Sequence, residues 1–125
     1  MTLLRSFLTV MMLLLIGACS DQAPVSGPGT MTVTLKSPNG SEGAALVAIL
    51  GDDVGSVSAS GATEVWSQEG NSITQIVLID QDGGDLSFRL AVSDTTNPPG
   101  WVIHEVAGPD DQLRGTTDYE LEFRR

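Results

Sequence analysis

The chain is short of the residues that would tie it to nucleic acid, to a metal or to a disulfide framework. Six of its 125 residues are Lys or Arg against sixteen Asp and Glu, a formal net charge of −10. Phosphate backbones are held by clustered cations, so nucleic acid and other polyanions are excluded as partners. A single Cys cannot close an internal disulfide, and with one His it cannot build a multi-thiolate zinc site, so no cofactor is expected. Aromatic residues make up 5% of the chain, fewer than an extended sugar-stacking platform displays. After residue 30 no segment keeps a helical period, and no apolar run approaches the ~20 residues of a membrane-spanning helix.

What is present is unevenly placed. Residues 1–19 hold 14 hydrophobic side chains and begin with a single cation, Arg5. An apolar stretch from Phe7 to Ile16 follows, and Gly17, Ala18 and Cys19 close the segment. A positive start, a short apolar stretch and small residues are the plan of an export signal. Leu15-Ile16-Gly17-Ala18-Cys19 resembles the lipobox of bacterial lipoproteins. That resemblance implies cleavage after Ala18, acyl chains of the palmitate class on Cys19, and attachment to a membrane of the cell envelope. Ser20, where inner-membrane lipoproteins of Gram-negative cells carry Asp, points by the same resemblance to the outer membrane. Two or more acyl chains at about 0.8 kcal/mol per buried methylene hold a domain stably on a bilayer. Loss of residues 1–18 removes Arg5 and no acid, so the charge becomes −11.

Residues 19–30 are rich in Ser, Gly and Pro and read as a flexible tether. The folded domain is expected over 31–125, where the dominant pattern has period two. Met31, Val33 and Leu35 alternate with polar residues, and Ser37-Pro38-Asn39-Gly40 ends the run. Ala44 to Leu50 is continuously apolar between Gly43 and Gly51, as in a strand buried on both faces or a short helix, with the glycines favouring strand. Val54–Ser60, Thr63–Ser67, Ile73–Ile79, Leu86–Val92, Trp101–Val106 and the alternation around Tyr119, Leu121 and Phe123 complete the set. Asp82-Gly83 is a hairpin signal, which would pair Ile73–Ile79 with Leu86–Val92. Seven or eight short strands with frequent turns indicate an all-β fold, an antiparallel Greek-key β-sandwich, with a small β-barrel as the alternative. The stretch from Gly43 to Val106 is faintly similar to cohesin and carbohydrate-binding sandwich modules, a likeness of pattern that carries no function.

Few residues point to chemistry. His104 stands in an apolar run, and no Gly-x-Ser-x-Gly elbow accompanies it, so no enzyme is expected and a hydrolase is the least favoured reading. Asp80, Asp82 and Asp85 surround two glycines and form a calcium candidate. The same residues suit a solvated turn, and Gly84 and Ala91 stand where an EF-hand loop needs ligands. Trp66 and Trp101 are the side chains through which a sandwich could stack on a sugar, with Trp101, after Pro98-Pro99-Gly100, expected at a rim. The expected protein is a membrane-anchored, non-enzymatic envelope lipoprotein with a binding or structural role and a protein or carbohydrate partner.

Overall fold

The computed structural model describes residues 26–125. The expected signal, Cys19 and most of the expected tether lie outside the described residues. The domain begins slightly earlier than the Met31 boundary: Gly27 is already tied down, its carbonyl accepting from the Thr95 N–H at 3.0 Å, and the first strand starts at Gly29.

Nine strands follow in chain order: β1 (Gly29–Lys36), β2 (Glu42–Leu50), β3 (Val54–Ala59), β4 (Glu64–Glu69), β5 (Ile73–Gly84), β6 (Ser87–Val92), β7 (Trp101–Ala107), β8 (Leu113–Arg114) and β9 (Glu120–Arg124). They form two antiparallel sheets, one of four strands in the order β3-β6-β1-β9 and one of five in the order β4-β5-β2-β7-β8. The sheets stack as a β-sandwich and do not close into a barrel. β1 lies beside β6 in one sheet while their successors β2 and β7 lie side by side in the other, so two crossing strand pairs interlock. The ninth strand, β8, is two residues long, too short for periodicity to reveal it.

The core lies between the sheets, and period-two alternation places it there. Met31, Val33 and Leu35 from β1 and Phe88 and Leu90 from β6 meet Ala45, Val47 and Ile49 from β2 and Ile76 and Leu78 from β5. Phe88, Leu90, Val33, Val47, Ile49, Ile76 and Leu78 are wholly inaccessible to solvent. Full burial of each such side chain stabilises the fold by roughly 1.5–3 kcal/mol before entropy is charged. Tyr119 and Leu121 seal one end beside the turn between β1 and β2.

That end holds the main buried charge. The Glu42 carboxylate, 1% exposed, accepts hydrogen bonds at Oε1 from the Ser37 hydroxyl at 2.7 Å and the Tyr119 hydroxyl at 3.0 Å. Asn39 Nδ2 in turn donates to the Tyr119 oxygen at 2.9 Å. Arg114 Nε stands 3.0 Å from Glu42 Oε2 without hydrogen-bond alignment, so the contact is one of charge. Two regions distant in sequence, 37–42 and 114–119, are thus pinned on one carboxylate.

The expected hairpin at Asp82-Gly83 is not formed. β5 continues through these residues to Gly84, which pairs with Glu42 across a register shift, while β6 pairs with β1 and β3 in the other sheet. The chain crosses between sheets at Asp85, because Ile76 and Leu78 fill the core from one side and Leu86 and Phe88 from the other. Gly83 has φ +77°, and a Cβ there would meet Pro109 Cγ at 2.9 Å. The glycine serves an irregularity inside a strand, with the loop after β7 packed on it.

Candidate binding surface

The two outer faces of the sandwich differ in chemistry. On the four-stranded sheet the outward residues of β1 are Thr30, Thr32, Thr34 and Lys36. Register places Arg89 and Arg124 on either side of Thr32, and Ser87 and Glu122 on either side of Thr34. Lys36 Nζ lies 3.0 Å from Glu122 Oε2, and Arg124 Nε lies 2.5 Å from Glu122 Oε1. These two cations hold the Glu122 carboxyl below its ordinary value, with the Lys36 contact the larger cause.

On the five-stranded sheet, register lines up a different set. One row runs Trp66, Val77, Leu46, Glu105 across β4, β5, β2 and β7. The next runs Glu64, Ile79, Ala44, Ala107, Leu113, and the row on the other side runs Gln68, Gln75, Ala48, Val102. Ile73 beside Leu50 ends the series. Every large hydrophobic side chain exposed among the described residues is here: Leu50, Trp66, Ile73, Val77, Val102 and Leu113. Trp66 is 54% exposed and Leu113 74%. Exposed apolar residues scattered singly are ordinary on any protein; a set confined to one face is a candidate contact surface.

The face is gently hollowed. Ala44, Leu46, Val77, Ile79, Glu105 and Leu113 are among the residues lining a depression of about 280 Å³. A second hollow on the far side of Leu46 and Val77 is bounded by Trp66, Gln68 and Gln75. The first is apolar, and the second sets two amides beside the exposed indole. No Lys or Arg among the described residues lies on this face. Lys36, Arg89 and Arg124 are on the opposite one, Arg114 faces inward against Glu42, and Arg125 ends the chain.

The two tryptophans expected as ligand contacts are separated by the sheet. Trp66 is the exposed one. Trp101 pairs with Ile49 at the start of β7 and packs half-buried against the core. The alternation decides it: Val102, one residue on, points outward in its place.

His104 is the extra residue of a β-bulge in β7, where Leu46 opposes Glu105 and Val47 opposes Ile103. It is exposed, and no hydrogen bond among the described residues joins it to a serine or a carboxylate. Asp80 and Asp82 lie on β5, with Asp80 Oδ1 accepting from the Asp82 N–H at 3.1 Å, and Asp85 follows at the crossing between sheets. Among the described residues no three His, Cys, Asp or Glu side chains gather as a metal would require.

Leu46, Val77, Ile79, Val102 and Leu113 were not singled out by the sequence as site residues. For Leu46, Val77 and Ile79 the signal was the unbroken apolar character of Ala44–Leu50 and the richness of Ile73–Ile79; Val102 belonged to the Trp101–Val106 run, and Leu113 lay in no strand pattern. Such runs specify strands with two apolar faces, and only the sheet order reveals that one face is left uncovered. No protein-family model, curated protein or solved structure matches the chain.

Proposed function

We propose that the chain is an envelope lipoprotein, acylated at Cys19 and exported, whose non-enzymatic β-sandwich binds a partner through the outer face of its five-stranded sheet. The observation that carries the binding role is the confinement, among the described residues, of all exposed large apolar side chains to that face. The lipobox resemblance carries the anchor. Ser26, where the described chain begins, is seven residues beyond Cys19. A linker of that length spans at most ~25 Å, so the domain would work close to the bilayer.

The test uses one set of strains. A photo-crosslinking amino acid replaces Trp66 on the apolar face or Thr32 on the polar face, in chains with Cys19 or with Cys19→Ala. The proposal expects adducts from position 66 and not from 32, in the membrane fraction for Cys19 and lost from it for Cys19→Ala. Equal adducts from both faces, or none from 66, would remove the binding face. Membrane retention of Cys19→Ala would remove the anchor.

A second reading is favoured by the hollow in which the amides of Gln68 and Gln75 flank the Trp66 ring. An aromatic face with neighbouring polar groups is the arrangement that receives a sugar. Concentration-dependent change of Trp66 fluorescence with particular glycans would favour it; a flat response across a glycan panel would end it.

A further inference from the structure

On the reading that the apolar sheet face binds a partner, we propose that the occupant is a basic protein segment that adds as a sixth strand to the free edge of β4. β4 pairs with β5 in unbroken register from Glu64 opposite Ile79 to Glu69 opposite Thr74, and its other edge has no strand partner. It therefore presents a row of backbone donors and acceptors to whatever lies alongside. The remaining sheet edges are blunted. β8 has two residues, β3 breaks register between Val54 and Val57, and the edge strand β9 has three charged residues in five, Glu120, Glu122 and Arg124, where β4 has two in six and only at its ends. β4 contains no Pro, no Lys and no bulge, so it is the regular edge the fold leaves open.

Charge selects the kind of strand. Glu64 and Glu69 stand at the two ends of β4 on opposite faces of the strand, Glu105 lies across the outer face from Glu64, and no Lys or Arg among the described residues shares that outer face. A second copy would bring the same carboxylates and another net charge of −10. An anionic bilayer would be repelled in the same way. A segment with Lys or Arg near both ends, about 17 Å apart at ~3.4 Å per residue, places its cations beside Glu64 and Glu69. Its outward side chains then extend the platform of Trp66, Val77 and Leu46. Backbone bonds supply affinity in strand addition, and the alternating side chains supply specificity.

The experiment titrates the full chain with a capped hexapeptide, Lys-Thr-Val-Thr-Val-Lys, read by calorimetry and, in the Trp101→Phe variant, by Trp66 fluorescence. Three comparison peptides have Glu at both ends, or N-methyl groups on alternate residues in either phase. Strand addition expects the basic peptide to bind at least tenfold more tightly than the Glu-ended one. One phase of N-methylation should cost at least tenfold and the other should leave binding intact, because only one edge of the peptide faces β4. Equal binding of both phases, equal binding of the acidic peptide, or no binding at millimolar peptide would overturn it. So would finding instead that the face is occupied by phosphatidylglycerol vesicles in flotation, or by a second copy in sedimentation. Position-66 adducts in cells alongside any of these failures would leave the binding face standing and remove only strand addition.

Discussion

Trp66 and Trp101 stand on opposite faces of one sheet, Trp66 paired with Val77 on the solvent side and Trp101 paired with Ile49 on the core side. The division separates a residue packed on the core from one that the proposed partner would meet. Trp66→Phe should change stability by no more than ~0.5 kcal/mol, as exposed substitutions do, while removing most of the iodide-quenchable fluorescence. Trp101→Ala should cost roughly 2–3 kcal/mol, below the full value for a buried aromatic because the ring is half-buried. Urea unfolding of the two variants, with quenching of each, checks both.

The buried carboxylate of Glu42 gives a prediction in which the double change costs less than the single one. Arg114→Met leaves the charge without its cation and should cost about 2–3 kcal/mol, held in check by the hydrogen bonds from Ser37 and Tyr119 and by the part-exposure of Arg114. Glu42→Met combined with Arg114→Met should return to within about 1 kcal/mol of the parent, since a buried ion pair is often matched by an apolar pair of similar volume. Denaturant midpoints of the four proteins in the cycle measure it. A double variant no better than the worse single one would show that the polar pin itself holds this end of the sandwich.

Acid should loosen the other end. The Asp94 carboxyl is held below its ordinary 3.8, first by the Thr96 hydroxyl, which donates at 2.6 Å, then by the Thr96 N–H, with the Gly27 N–H a smaller contributor. A carboxyl with a lowered folded pKa stabilises above its unfolded value, and that contribution disappears as pH falls through the folded one. Glu122 acts in the same direction through Lys36 and Arg124. Melting temperature should therefore hold steady above pH 5 and fall below about pH 4. Asp94→Asn should fall less steeply over that window, as scanning calorimetry from pH 6 to 2 would show.

Gly83 and Gly115 make a matched pair. Gly83→Ala forces a Cβ onto a φ of +77° and towards Pro109, and should cost upwards of about 1–2 kcal/mol. Gly115→Ala meets nothing within 4 Å and should stay within ~0.5 kcal/mol. Thermal melts of the two variants distinguish a bulge that needs glycine from a loop that merely contains it.

The same region shows what the sequence could and could not convey. Alternation in Met31–Leu35 and Leu86–Val92 specified strands with one core face, and both are found. Asp82-Gly83 is locally a good hairpin, but Leu86 and Phe88 gain more by closing the core from the opposite sheet, so tertiary burial overrides the turn preference. The candidate surface was half legible. Trp66 was visible as a residue, whereas the apolar outward rows of β2, β5 and β7 looked like double-sided burial, and no local pattern says what covers a second apolar face.

Footprinting of Trp66 tests the central claim most directly. Hydroxyl-radical labelling of the purified chain should modify Trp66 heavily and Trp101 less, in keeping with their exposure. In intact cells, with the protein in its envelope, Trp66 labelling should fall severalfold while outward residues of the four-stranded sheet such as Lys36 and Arg89 keep theirs. Trp66 labelled as heavily in cells as in solution, relative to those residues, would contradict the assignment of this face as the place where the protein meets its partner.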